Sequence, residues 1–369
     1  MRVSFRISFL FFTCVLAWAQ TNPPTLPEIL QRHEAALGGR EKIQALRSIV
    51  IRGVYNEGGP IEPGKALIPD AYQAFMRPYF EAIGDPADPN PDIREGFDGS
   101  AWEYYGDPGV TVRTVGAAAS ATRHASEFLQ DSLLDTEQKG YRLTLEGESK
   151  IGDRKAFQIH CVWSDDTERL IFVDAETYLI IAERKSAPKH AFGEAVPTES
   201  RFYDYAPVNG VMMWHSVRET EIVSGKIFNE FKRVSIEANT ITSPEQFSPP
   251  VRQKTPLQSW LEHLYAERSD PLSVMYSYRV FRRANPELDT RAGVEFIGYQ
   301  MVKMGDYRGA IELLKANASD YPKSASAQFG LGRAYGAAGQ VEEAKAAMRK
   351  ALEIDPKFTK ASKGLDALK

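Results

Sequence analysis

The side chains able to hold a metal or act as nucleophiles are few in this sequence, and their spacing suits neither task. Its six histidines, His33, His124, His160, His190, His215 and His263, contain no H-x-x-x-H pair, the spacing that sets two imidazoles on one helical face around zinc. No metal site is expected, and no cofactor. His160 and Cys161 are adjacent, but neighbours on a strand point to opposite faces and cannot form a hydrogen-bonded base and thiol. Cys161 reads instead as a small buried hydrophobe. The stretch Asp85–Asp92 offers several oxygen ligands of the kind calcium takes. Pro86, Pro89 and Pro91 stiffen it, however, and no glutamate closes an EF-hand, so a solvated loop is expected. No G-x-S-x-G, P-loop, G-x-G-x-x-G or H-E-x-x-H occurs. The chain is expected to bind rather than to catalyse.

The compartment is read from the first residues. Arg2 and Arg6 precede an apolar run from Ile7 to Leu16, and Ala17-Trp18-Ala19 before Gln20 is an A-x-A cleavage signature. Residues 1–19 are therefore expected to be a cleaved export leader, too short to span a bilayer that needs about twenty apolar residues. Cys14 is poorly placed for lipidation, since Phe11-Phe12-Thr13 before it lacks small residues. Export would leave Cys161 alone, so stability in an oxidising compartment must come from packing. With Lys+Arg 45 against Asp+Glu 49 and a formal net charge of -4, the chain shows no basic stripe and no nucleic-acid partner is expected. Its 369 residues favour two domains over one.

An internal repeat organises the carboxy-terminal part. Val294, Ile297, Gly298 and Met301 are followed by Ala310, Leu314 and Pro322. The slots recur as Gln328, Leu331, Gly332, Tyr335, Ala344, Met348 and Pro356, one period of about 34 residues later. This resembles the tetratricopeptide family. Gly298 and Gly332 with Ala310 and Ala344 let paired helices approach closely, and Pro322 and Pro356 end each second helix. Two repeats, 291–324 and 325–358, are expected, with Phe358–Leu368 as a capping helix. Two are fewer than a free array needs, so support is expected from a degenerate helical pair at Leu257–Arg283, broken at Asp270-Pro271. Pro244, Pro249, Pro250 and Pro256 mark a linker, taken as 248–256 before a helical domain at 257–369.

Residues 20–247 read differently. A helix from Pro27 to Leu37, stopped by Gly38-Gly39, precedes a series of short alternating runs: Ser48–Tyr55, Tyr141–Glu146, Phe157–Trp163, Leu170–Val173, Tyr178–Glu183, Glu199–Tyr205, Met212–Thr220 and Ile227–Ile236. Turn residues separate them, among them Gly152-Asp153, Asp165-Asp166 and Asn209-Gly210. A second helix is expected at Ala117–Leu134. The fold class is α+β: a curved antiparallel sheet with covering helices, followed by an all-α array.

The run Ile29-Leu30-Gln31-Arg32-His33-Glu34-Ala35-Ala36-Leu37-Gly38-Gly39-Arg40-Glu41 followed by Leu46-Arg47-Ser48 resembles the opening of LolA-like exported proteins, the lipoprotein-sorting-protein-like family. Phe97-Asp98-Gly99-Ser100-Ala101-Trp102, Phe172–Leu179, Tyr203-Asp204-Tyr205 and Val208-Asn209-Gly210-Val211 match its later landmarks in order. The resemblance implies an incomplete barrel with a helical lid and an apolar cavity for acyl chains. The Pro- and Gly-rich insert from Gly58 to Asp92 departs from it, standing where a plain strand pair belongs.

The cavity candidates are Trp102, Phe128, Leu133, Tyr141, Leu143, Phe157, Ile159, Trp163, Phe172, Met212 and Trp214. The same residues serve a closed core equally well, because a curled sheet has one inner face for either purpose. Two functions stand open: a periplasmic or secreted carrier whose β domain holds a hydrophobic ligand or lipoprotein acyl chain while the repeats bind a protein, and an envelope scaffold working through its repeats alone.

Overall fold

The computed structural model describes residues 23–64, 66–78, 80–84, 93–188, 190, 195–249 and 251–368. The expected export leader and the Asp85–Asp92 stretch lie outside the described residues.

Helices α1 (Leu26–Ala36) and α2 (Arg40–Ala45) open the chain. Thr25 begins α1, its backbone N–H and hydroxyl both donating to the Glu28 carboxylate at 2.7 and 2.8 Å, so that Glu28 reaches back to fix the start of the helix. Gly38 ends the turn at φ +115°, and a Cβ there would sit 2.2 Å from Gly210 O. No other residue fits that crossing.

One flank of the sheet follows as β1 (Ser48–Glu57), β2 (Ala71–Met76), β3 (Phe80–Ile83), β4 (Ile93–Phe97), β5 (Ala101–Tyr105) and β6 (Val110–Arg113). Next come α3 (Gly116–Ala125), a 3-10 turn at Phe128–Gln130 and α4 (Thr136–Lys139). The other flank is β7 (Arg142–Ile151), β8 (Arg154–Val162), β9 (Glu168–Asp174), β10 (Ile180–Pro188) and β11 (Ala195–Tyr203). A ribbon of β12 (Ala206–Val208) and β13 (Val211–Met213), then β14 (Ser216–Glu221) and β15 (Ile227–Ala238), completes it. Apart from that ribbon, the strands form one 13-stranded antiparallel sheet in the order β6-β5-β4-β3-β2-β1-β15-β14-β11-β10-β9-β8-β7. The first and last strands meet in the middle and the edges β6 and β7 remain unjoined, so the sheet is not closed into a barrel.

Three local expectations are corrected. The Gly58–Asp92 insert is not a replacement for a strand pair, since it carries β2 and β3. The helix expected over Ala117–Leu134 stops at Ala125, and Leu129 and Gln130 are left-handed at φ 63° and 54°. Buried Glu127 and Asp131 must reach polar partners rather than lie on a helix face, and the backbone turns to let them. The Met212–Thr220 strand is divided, because the Asn209-Gly210 turn, both residues at positive φ, folds β13 back on β12.

The helical part contains α5 (Pro256–Ala266), α6 (Pro271–Ala284), α7 (Arg291–Lys303), α8 (Tyr307–Asp320), α9 (Ala325–Ala337), α10 (Val341–Ile354) and α11 (Thr359–Ala367). A Cβ on Gly298 would lie 2.5 Å from Leu314 Cγ, and one on Gly332 2.9 Å from Met348 Cγ. Each glycine admits the large side chain of the opposing helix, and Ala310 and Ala344 are fully buried beside them. Tyr335 packs partly buried against the array core. Pro322 and Pro356 follow the ends of α8 and α10, and Phe358 and Leu365 pack with Met348 and Ala361 where α11 covers the array.

The array does not stand free. Val110 and Val112 of β6 share its core with Trp260, Leu261 and Leu264 of α5. Tyr265 Oη donates to Arg113 O at 2.9 Å, and Glu262 accepts the edge amide of Thr111 at 3.1 Å. Tyr105 meets Phe296 of α7 edge-on, with ring centroids 5.0 Å apart.

Candidate functional site: a hollow under the curved sheet

Cross-strand register fixes which side chains face inward. Ile51, Gln73, Ile83, Glu95 and Glu103 are successive direct partners across β1 to β5, so they share one face. Helix α1 fills part of the concave side: its Ile29 packs with Phe157, Ile159, Cys161, Trp163, Ile171 and Val173. Helix α3 touches β10 on one flank and β4 and β5 on the other, bridging the opening. Beneath it remains a hollow of about 540 Å³. A wider groove of about 1420 Å³ runs along α3 past Ser120, Asp165 and Arg184. It is the more open of the two, and the hollow is the better enclosed.

The hollow's lining is mixed. Phe202, Trp214, Val217 and Phe231 make an apolar wall, and Gln73, Glu95, Arg169, Glu183, His190 and Glu219 add polar and charged lining from strands on both sides of it. Buried Arg169 and Glu183 pair at 2.9 Å, while Glu183 Oε1, Arg169 Nε and Gln73 Oε1 have no hydrogen-bond partner among the described residues. Glu219 accepts from Thr198 Oγ1 at 2.7 Å and Asn229 Nδ2 at 2.8 Å. Glu95 and Glu103 stand directly opposite each other, with His190 Nδ1 3.8 Å from the first and 3.4 Å from the second. Hydrogen bonds to Glu103 and then Glu95 hold the His190 pKa up at about 10. Burial raises that of Glu95, and the neighbouring Glu103 charge adds to it against the pull of His190. The Tyr105 hydroxyl donates to Glu103.

Behind the apolar wall, buried Arg233 stacks 3.2 Å over the Trp214 ring and donates to Trp214 O and Gln130 Oε1. Burial presses its pKa down to about 9. A polar network pins the lid. His124 bridges Glu127 and Asp165, and Glu127 also receives Lys139, Tyr141 and Trp163. His33 of α1 holds Asp131 at 2.8 Å and contacts Tyr178 O through Nδ1 at 2.7 Å. Cys161 is fully buried, and burial pushes its pKa up to about 12.

Of the eleven cavity candidates, Trp214 lines the hollow. Leu133, Tyr141, Leu143, Phe157, Ile159 and Trp163 pack in the core that α1 fills. Phe128 and Met212 pack around Trp214 and Leu37, and Phe128 also faces a separate small pocket of about 150 Å³. Trp102 and Phe172 lie on the convex face. Trp102 donates to Phe247 O at 2.8 Å, and Phe172 packs with Ile181 and Ala182. The sequence reading missed Glu95, Glu103 and His190. Centring a hairpin on Gly99, with Asp98–Ser100 as its loop, would have set the two glutamates opposite each other, but nothing local ties His190 to them.

Comparison with known proteins agrees with the repeat reading of the carboxy-terminal part. A tetratricopeptide repeat model matches residues 301–367. Among solved structures the chain is similar to a LolA superfamily protein from Nitrosomonas europaea, at 12% identity over 59% of this chain and 97% of that one with a TM-score of 0.37. It is similar also to a DUF1329 family protein from Desulfovibrio piger, at 12% identity over 60% and 95% with a TM-score of 0.38. An O-GlcNAc transferase from Thermobaculum terrenum matches at 26% identity over 31% of this chain and 23% of that one, with a TM-score of 0.23. At such values these likenesses say nothing of a ligand. No curated protein matches. No helix among the described residues is long and apolar enough to cross a membrane.

Proposed function

We propose that this chain is an exported binding protein whose curved sheet holds one amphipathic ligand while its helical array meets a protein partner. The observation that carries the reading is the hollow of about 540 Å³, within the usual range for small-molecule sites of about 300–1,000 Å³. Its aromatic wall suits an apolar chain and its charged lining a polar group, which refines the expected purely hydrophobic cargo. For the array, the outer face of α6 leaves Leu272, Tyr276 and Val280 exposed four residues apart, a stripe of the kind that protein partners cover. Export, to the periplasm or beyond, rests on the amino-terminal sequence.

Native mass spectrometry of the full-length chain after gentle purification tests the reading, together with displacement of a fluorescent long-chain fatty acid. A bound small molecule and probe binding weakened by Trp214→Ala are expected. A bare mass with no probe binding would leave the array as the working surface and favour the envelope scaffold.

A further inference from the structure

We propose that Glu95, Glu103 and His190 form a site for one divalent transition-metal ion of the zinc class, opening into the hollow. Residues on β4 and β5 bring the two carboxylates together: Glu95 and Glu103 are direct cross-strand partners, and Glu103 is only 2% exposed. Like charges directly opposite on a strand pair are destabilising, so this arrangement calls for a cation. His190 completes a set of three donor atoms lying within 4.8 Å of one another.

The two histidine spacings are close to those a small tetrahedral ion sets. His190 Nδ1 lies 3.4 Å from Glu103 and 3.8 Å from Glu95. A tetrahedral ion with ligand bonds of about 2.0–2.2 Å spaces its ligands roughly 3.3–3.6 Å apart. The carboxylates are hard donors that many divalent ions accept, and the imidazole nitrogen shifts the preference toward zinc and away from calcium or magnesium, which prefer oxygen alone. Three protein ligands leave a fourth position for solvent or ligand.

Two further observations bear on the site. Glu183, 4% exposed and lining the same hollow, pairs with Arg169 through one carboxylate oxygen and leaves the other with no hydrogen-bond partner among the described residues. Tyr105 donates to Glu103 and packs its ring on Phe296 of α7, the outer support that orients a metal-binding carboxylate. The competing account is an ion pair alone, with protonated His190 balancing the two glutamates.

Isothermal titration of the chelator-stripped full-length chain with zinc separates the two accounts, with the visible spectrum of the cobalt form reporting four-coordination. No amphipathic ligand is needed, so the result is independent of the carrier reading. One zinc ion per chain is expected. Tyr105→Phe should weaken binding about tenfold, and His190→Ala or Glu95→Gln should weaken it further. His190 is nearly half exposed, so metal-free His190→Ala should still fold cooperatively, losing the stability of its pairing with the two glutamates. Failure of the wild type to bind, or equal binding by His190→Ala and Glu95→Gln, overturns the site and leaves the ion pair.

Discussion

Replacing His33 with leucine should destabilise the β domain by about 3–5 kcal/mol. His33 is 1% exposed and Asp131 6% exposed, and their 2.8 Å contact joins α1 to the segment after the 3-10 turn. Leucine keeps the apolar packing but leaves the Asp131 carboxylate buried, with Leu133 N–H at 2.9 Å as its remaining close donor. Breaking one side of a buried pair costs about 3–5 kcal/mol, whereas replacing both partners by apolar residues is often neutral or favourable. The double variant His33→Leu/Asp131→Leu should therefore be more stable than the single one.

The sign of the pH dependence follows from the two shifts. Burial works against protonation of His33, but the Asp131 charge outweighs it and its pKa is raised. Its contribution is complete below about 6.5 and is lost as pH climbs through the raised value. Asp131 is depressed: burial works against its charge, and His33 more than compensates. Its contribution is complete above about 3.9 and is lost as pH falls through the lowered value. The stability of the wild type relative to the double variant, whichever is the greater, should thus be most favourable to the wild type between about pH 4 and 6.5. Urea unfolding followed by tryptophan fluorescence at pH 5.5 and 8.5 measures it. A single-variant loss under about 1 kcal/mol, or an advantage that does not change between those pH values, would refute the coupling.

Three other expectations concern separate parts of the molecule. Cys161, fully buried with its pKa pushed up to about 12, should resist thiol reagents in the native protein and react only in denaturant. Gly298→Ala should lower the melting temperature at a cost of about 1–3 kcal/mol from overpacking against Leu314; an unchanged melting temperature would show that Leu314 gives way freely. Tyr265→Phe removes the bond to Arg113 O and should weaken docking of the array by about 1 kcal/mol, seen as faster proteolysis after β6.

Where one physical constraint acted on many residues, the sequence was readable. The repeat period showed because close helix pairing imposes small residues at the same slots in each repeat, as Gly298 and Gly332 do. Strand β8 showed because Phe157, Ile159 and Cys161 face α1 while Gln158, His160 and Val162 face outward. Strand β5 did not, because Ala101, Trp102, Glu103 and Tyr104 are all buried. Phe247 covers one face and the hollow the other, so alternation vanishes. The site was less legible still, since its charged lining gathers residues from strands far apart in the chain, and a glutamate aimed inward looks in sequence like one aimed at water.

The open sheet ends at β6, where Glu262 occupies the Thr111 amide and α5 shields Val110 and Val112. At the opposite end, β7 carries Arg142, Glu146, Glu148 and Lys150, charges that discourage a neighbouring strand. Solubility is thus guarded by charge at one margin and by a folded neighbour at the other. A protein shortened to residues 20–255 would bare β6 as a template for self-association, and should precipitate or oligomerise even with its hollow intact.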